Sequence, residues 1–351
     1  MSGGVDSSVA AALLKEQGYD CVGVFMCLGQ AQAEGGHHGC CSPQDAADAR
    51  EVAGQLGIPF HVIDFQEELD GIVDYFVDEY AAARTPNPCI QCNNRLKFGK
   101  LAEFAEVIGA SKVATGHYAR LEELDGQLRL RRGVDRGKDQ SYVLFGLARE
   151  NLHRAMYPLG GFPKEQVRAM AQRFGLLQVC AKPDSQEICF VPNNDYARLV
   201  AGRRPDAVRA GELVDTKGKM VGEHQGVHGF TVGQRRGLGV TAGRPLYVIS
   251  INADKNQVVV GDKQELLRHS MIVKQVNPLV EPFPTEPFAA SVQIRYNHTG
   301  NAAVVTPVFD EHGKLTAAEV MFDDPIAAIT PGQAAVFYDQ RDAVIAGGWI
   351  A

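Results

Sequence analysis

A chain of 351 residues that is 45% hydrophobic can bury substantial cores and divides most naturally into two or three domains. A net charge of −7 excludes an indiscriminate polyanion binder, but leaves room for a local basic face. No apolar run approaches the ~20 residues that cross a bilayer and no basic-then-apolar leader is visible, so the expected compartment is the cytoplasm. All eight cysteines (21, 27, 40, 41, 89, 92, 180 and 189) lie in the first 189 residues, which suits cytosolic thiol or metal chemistry better than a disulfide scaffold.

The chain opens on Ser2-Gly3-Gly4-Val5-Asp6-Ser7-Ser8, followed by helix formers as far as Gly18. Adjacent glycines allow a tight turn with close backbone approach, and a helix start presents unpaired N–H groups with a partial positive charge. With three serine hydroxyls added, the stretch reads as a phosphate cradle. It is not a Walker A loop, because no Gly-Lys-Ser/Thr follows. Such a loop normally leaves the end of a buried strand, yet only Met1 precedes it. The expectation is a start set too far downstream, with an empty slot and two unpaired strand edges in the sheet.

Cys21 to Met26 reads as a buried strand, and the Gly- and His-rich stretch Gly35 to Cys41 as a lid loop whose cysteines do nothing. The alternative is that His37, His38, Cys40 and Cys41 complete a structural zinc site with Cys89 and Cys92. Ser42-Pro43 supplies an N-cap and first-turn proline for a helix ending at Gly57. The strand Phe60 to Asp64 and a helix from about Glu67 to Ala83 lead to Arg84 to Asn93, whose prolines predict an irregular loop. A helix through Leu96, Leu101, Phe104 and Val107 and the strand Lys112 to Thr115 complete an alternating pattern. Its fold class is α/β, with a mostly parallel sheet, and ligands are expected beyond the carboxyl ends of the strands.

Leu121 to Leu130, turning at Asp125-Gly126, is a predicted β-hairpin. Five basic residues (Arg129, Arg131, Arg132, Arg136 and Lys138) against Asp135 give the segment a local charge of +4, an expected phosphate-contacting face. Lys164 to Phe174 is helical, and residues 182–190 form an irregular loop holding Cys189. The expected domains are 1–194, 195–265 (small, α+β) and 266–351, a β-barrel.

Cys89-x-x-Cys92 suits a redox pair, half a metal site, or a nucleophile with a neighbour. Cys189 alone is more often a small core residue, but it follows a polar loop. Taken together and in order, SGGVDSS, PNPCIQCNNRLKF, TGHYAR, KDQSYVLF and DSQEICFV closely resemble the bacterial tRNA-specific 2-thiouridylases, members of the PP-loop ATP pyrophosphatases. The resemblance covers essentially the whole chain. It implies a PP-loop domain, a small central domain and a C-terminal β-barrel. The implied activity is ATP-dependent 2-thiolation of the wobble uridine in tRNAs for Lys, Glu and Gln, with Mg2+ accompanying ATP and a persulfide donor protein supplying sulfur.

Carried over by position, the resemblance assigns ATP binding to Ser2, Gly3, Gly4, Val5, Asp6, Ser7 and Ser8, with Met26 and Gly116 on the adenine and ribose side. Cys92 matches the nucleophile and Cys189 the persulfide carrier. Asn87, Pro88 and Cys89 match contacts to the target base. His117, Lys138, Asp139, Gln140, Arg295, Tyr296 and Gln333 match tRNA contacts. Many members carry aspartate at the Cys89 position, which puts any acid–base role there in doubt, since a thiol ionises only near pH ~8.5. Tyr118 and Tyr296 are candidate stacking platforms for a flipped base. No metal ligand set is assigned; a [4Fe–4S] cluster on Cys89, Cys92 and Cys189 is the rival to the persulfide route. Two further alternatives are an adenylating ligase that needs neither Cys92 nor Cys189, and a non-catalytic metal or iron–sulfur protein.

Overall fold

The computed structural model describes residues 1–29, 42–183, 188–191, 193, 195–240 and 243–351. The readings of His37, His38, Cys40 and Cys41, of 184–187 and of a boundary at 194 fall outside these residues. The chain forms two compact units, one of residues 1–72, 89–194 and 341–344, the other of 73–88, 195–340 and 345–351. Among the described residues, no helix is long and apolar enough to cross a membrane.

In the first unit, α1 (Val5–Glu16) starts directly at Gly4 and buries Val5, Val9, Ala10, Ala12, Leu13 and Leu14. β1 (Gly23–Cys27) is followed by α2 (Pro43–Leu56), where Ser42 accepts from the Asp45 N–H and Gly57 closes the helix at φ 62°. β2 (Phe60–Asp64) pairs in parallel with β1, Gly23 opposite Phe60. α3 (Gln66–Ala81) follows and runs from the first unit into the second.

The proline-rich segment is irregular over 84–87, as its prolines predict, but helical from Pro88 onward. Pro88 opens a short helix, α4 (Pro88–Gln91), because at a first helical position its missing N–H costs nothing. The backbone continues as a π-helical stretch, Cys92–Lys100, and then as α5 (Leu101–Val107). Cys89 and Cys92 therefore sit three apart on helical backbone and share a face. The wide turns are tight at Gly99, where a Cβ would meet the Asn94 carbonyl oxygen at 2.9 Å.

β3 (Val113–Ala114) precedes the hairpin of β4 (Ala119–Leu124) and β5 (Gln127–Arg132). Asp125 and Gly126 turn it with positive φ values of 53° and 76°. β6 (Ala155–Met156) pairs in parallel with β3. Among the described residues of the first unit, the parallel strands thus form two separate pairs rather than one continuous sheet. Met1 donates from its amino group to the Val24 carbonyl of β1. α6 (Lys164–Arg173) and α7 (Leu177–Cys180) cover α1, with Val167, Ala171, Leu176 and Val179 wholly buried against Val9 and Leu13.

In the second unit, Tyr80 of α3 stacks on Tyr196 of α8 (Tyr196–Arg203) at 4.5 Å. A four-stranded sheet follows, of β7 (Gly211–Asp215), β8 (Met220–His224), β9 (Tyr247–Asn252) and β10 (Gln257–Gly261), in the order β8-β7-β10-β9. Its core is Leu213, Val248, Val258 and Val260. The C-terminal strands are β11 (Leu267–Pro278), β12 (Phe288–Gln293), β13 (Asn301–Phe309), β14 (Leu315–Ala327), β15 (Ala334–Tyr338) and β16 (Val344–Ile350). They close into a barrel in the order β11-β14-β13-β12-β15-β16. Inward positions alternate along the strands, and Val273, Val292, Val305, Val320 and Phe337 fill the interior.

Candidate active site

Gly3 holds φ 72° at the turn into α1, and Gly4 occupies the N-cap with no side chain capping the first-turn amides. Hydroxyls ring the turn. Ser7 Oγ accepts from the Ser2 N–H at 3.0 Å and lies 3.1 Å from Ser2 Oγ, while Ser8 Oγ donates to the Gly4 carbonyl at 2.8 Å. α2 backs the turn, since a Cβ on Gly3 would lie 2.4 Å from the Asp45 carbonyl oxygen. Lys182 ties down that neighbour, donating to Asp45 Oδ1 at 2.8 Å and pairing with Asp48. Burial opposes ionisation of Asp45, but Lys182 and Ser42 outweigh it and hold the carboxyl below its usual range.

Asp6, in the first turn of α1, accepts from the Tyr118 hydroxyl at 2.7 Å and from Lys164 Nζ at 2.8 Å on both oxygens. The Lys164 ammonium also lies 5.6 Å from the Tyr118 ring centre. Tyr118 is only 3% exposed, so its ring belongs to this support and cannot serve as an open stacking platform. Gly116 touches the same turn, where a Cβ would meet the Asp6 carbonyl carbon and the Ser7 nitrogen at 2.9 Å.

From Gly116 the chain leads through His117 to Lys97, in the helical stretch that begins at Cys92. His117 is buried, with Nδ1 2.7 Å from Thr115 Oγ1 and Nε2 3.4 Å from Lys97 Nζ. Burial, and secondarily the charge of Lys97, pushes the imidazole well below its ordinary 6.5. A neutral ring here donates from Nδ1 and accepts at Nε2. Below pH ~6.5 an unfolded His117 binds a proton that the folded one refuses, so this group lowers stability as pH falls through that value. The His117 ring resonances are expected to show the neutral form still at pH 6; titration near 6.5 would contradict the buried placement.

Lys97 belongs to the π-helical stretch that Cys92 begins. Cys92 packs on the cluster of Phe65, Ile72 and Leu96, which also receives Met26 and Phe190. One apolar cluster thus gathers Met26, Cys92 and, through its neighbour Phe190, the loop of Cys189. Cys92 and Cys189 are half-buried, Cys89 is exposed, and all three are thiols. Among the described residues, no three histidines, cysteines or carboxylates gather as metal ligands.

Comparison with known proteins agrees along the whole length. The family description "tRNA methyl transferase HUP domain" matches residues 1–193, "tRNA methyl transferase PRC-barrel domain" residues 202–262 and "Aminomethyltransferase beta-barrel domain" residues 268–350. A tRNA-specific 2-thiouridylase MnmA of Geobacter metallireducens is 48% identical over 100% of this chain and 95% of its own. Proteins of the same name from Rhodopirellula baltica and Carboxydothermus hydrogenoformans are each 46% identical, covering 100% of this chain and 94% and 96% of theirs. The chain belongs to the tRNA-specific 2-thiouridylase family. Its fold is that of the family: a HUP-type α/β domain, a PRC-barrel domain and a closed six-stranded β-barrel.

The positions assigned to tRNA in 2-thiouridylases divide by burial. Asp139 accepts from the Gly133 and Ser141 N–H groups, Ser141 Oγ and Arg132, all within 3.1 Å. Gln140 braces Tyr118 by accepting from its N–H and donating to its carbonyl. Gln333 donates to the Thr85 and Pro86 carbonyls in the second unit. These side chains position backbone. Arg295 and Tyr296 are exposed, on a turn that buried Gln293 holds by donating to both their carbonyls. Asn87 and Lys138 are half-buried, and Pro88 is buried.

The hairpin arginines correct the expectation of an open basic face. Arg129 and Arg132 are buried, Arg131 pairs with Glu122 and donates to the Arg341 carbonyl, and Arg136 pairs with Asp342. The opposing charges come from Glu122, Asp139 and Asp342, so the net charge of the segment alone misleads. Arg132→Ala is expected to cost about 3 kcal/mol by stranding buried Asp139, read as a lower urea midpoint. An unchanged midpoint would contradict it. Residue patterns missed Lys97, Lys164 and Lys182. Lys164 alone carried a local signal, a cation in the first turn of a helix, where the dipole disfavours it.

Proposed function

We propose that this chain is the ATP-dependent sulfurtransferase that makes 2-thiouridine at the wobble position of tRNAs for Lys, Glu and Gln. The observation that carries the proposal is the route from the Ser2–Ser8 turn through Gly116, His117 and Lys97 to Cys92. An anion-binding helix start and the Cys92 and Cys189 thiols belong to one unit. The uncapped first-turn amides of α1 and the Ser2 and Ser7 hydroxyls suit the phosphates of ATP, brought in with Mg2+, and Met26 suits the adenine side. The C2 oxygen of uracil is a poor leaving group, and its adenylation converts it into AMP, a good one.

Sulfur then follows a persulfide route. A donor protein loads sulfane sulfur onto Cys189. The terminal sulfur attacks C2, and the C2–O bond breaks as AMP leaves. The Cys92 thiolate attacks Cys189 Sγ, and the electron pair of the broken S–S bond stays on the new C2 sulfur. The products are 2-thiouridine and a Cys92–Cys189 disulfide, which a cellular thiol reduces for the next cycle. The persulfide route is preferred to a [4Fe–4S] cluster because relatives with aspartate at the Cys89 position would lack one of its three cysteine ligands. Substrate and donors place the enzyme in the cytoplasm. The test is tRNA nucleoside analysis in a deletion strain, paired with purified protein, ATP, a persulfide donor and a tRNA transcript. Loss of 2-thiouridine in the strain and its ATP-dependent formation in vitro are expected; a strain with normal 2-thiouridine would overturn the proposal.

A further inference from the structure

Arg131, Arg132 and Arg136 of the hairpin region each face a carboxylate, but two arginines of the PRC-barrel domain do not. Arg235 and Arg236 are exposed, and neither guanidinium has an ion pair or hydrogen bond among the described residues. The turn that carries them is braced. The Gln234 side chain accepts from the Thr231 N–H at 3.0 Å and donates to the Arg236 carbonyl at 2.9 Å. The Gly233 N–H donates to the Val248 carbonyl and the Val248 N–H to the Gln234 carbonyl, which ties the turn to β9. Leu238 is buried just beyond it. Two like charges side by side repel, and no carboxylate of the fold offsets them, so a braced turn bearing both calls for an external anion.

Its neighbours say which anion. A Cβ on Gly233 would lie 2.7 Å from the Ala328 Cβ, just past the end of β14. A few residues on, Gly332 packs on Thr85, the Thr85 N–H donates to the Pro331 carbonyl at 2.8 Å, and Gln333 holds the Thr85 and Pro86 carbonyls. The basic turn is thus linked through one loop to the segment that runs into Asn87, all within the second unit. We propose that Arg235 and Arg236 clamp neighbouring phosphates of the tRNA strand beside the wobble nucleotide. The role rests on the tRNA reading, which sets Asn87 and Pro88 against the target base. A strand of RNA presents phosphates in a row, which two adjacent guanidiniums match. Contacts of this kind fix register and carry no base preference.

The probe is an unmodified tRNA transcript with a Lys anticodon, bound to the full chain over a series of potassium chloride concentrations. The double change Arg235→Ala and Arg236→Ala is expected to weaken binding about tenfold and to reduce the slope of log affinity against log salt by about 1.5, since each phosphate contact contributes ~0.7–0.9. Arg235→Lys with Arg236→Lys keeps both charges and should recover most of the slope. A turn that serves folding alone would lower the melting temperature and leave the slope unchanged, which overturns the role. Should the alanine variant not fold, wild-type protein decides: tRNA should shield Arg235 and Arg236 from phenylglyoxal, read by mass spectrometry, and equal labelling with and without tRNA overturns the role. Unchanged tRNA binding with slower sulfur transfer from a persulfide donor would make the turn a protein dock, and overturns it too. Wild type that binds no tRNA sinks the tRNA reading as well; wild type and alanine variant binding it alike sink the turn alone.

Discussion

Cys92→Ser is expected to reduce 2-thiouridine formation by on the order of 10⁴-fold or more, with ATP binding retained. The same loss is expected for Cys189→Ser, because the two thiols act in sequence on one sulfur atom and neither can do the other's part. Cys92 supports this through its position, at the start of the π-helical stretch and on the cluster that also takes Phe190. Serine keeps the shape but forms no disulfide. Cys89→Asp is the discriminating partner variant. Exposed on α4, Cys89 has no step in a relay, so activity with a persulfide donor should survive the change under strict anaerobiosis. Loss of activity together with protein-bound iron would transfer the chemistry to a cluster.

Gly3→Ala should cost about 3 kcal/mol of stability and weaken ATP binding about 100-fold. Two effects add. An alanine at φ 72° pays the left-handed penalty of ~1–2 kcal/mol, and its Cβ would overlap the Asp45 carbonyl, an overpacking cost of ~1–3 kcal/mol. Asp45 cannot retreat, because Lys182 and the Ser42 cap hold the first turn of α2. The turn must give instead, and the first-turn amides of α1 lose their aim at the phosphates. Gly18→Ala is the control. It carries φ 85° with nothing within 4 Å of a Cβ, so it should lose stability by ~1–2 kcal/mol and leave ATP binding intact. Equal effects on ATP binding would show that backbone strain alone, not the packing of the turn against α2, governs the site.

Much of the local structure was legible because it is locally caused. Ser42-Pro43 starts α2 and Gly57 ends it, Asp125-Gly126 turns the hairpin, and the alternation after Glu265 closes as strands. The ordered motifs likewise carried the family, since they need no partner to be read. Proline was overread at Pro88, where position within the helix rather than residue type decides its effect.

What sequence alone determined was the set of chemical parts: a glycine–serine turn at a helix start, two cysteines on separate motifs, and a run of arginines. Tertiary structure decided what each charge faces. Asp342 meets Arg136 across 206 residues of chain and Lys164 meets Asp6 across 158, so one basic run became internal pairing and one unnoticed lysine came to the nucleotide turn. Backbone preferences are set by the few residues on either side, whereas an ion pair forms wherever the folded chain brings opposite charges within reach, and no local window contains both partners.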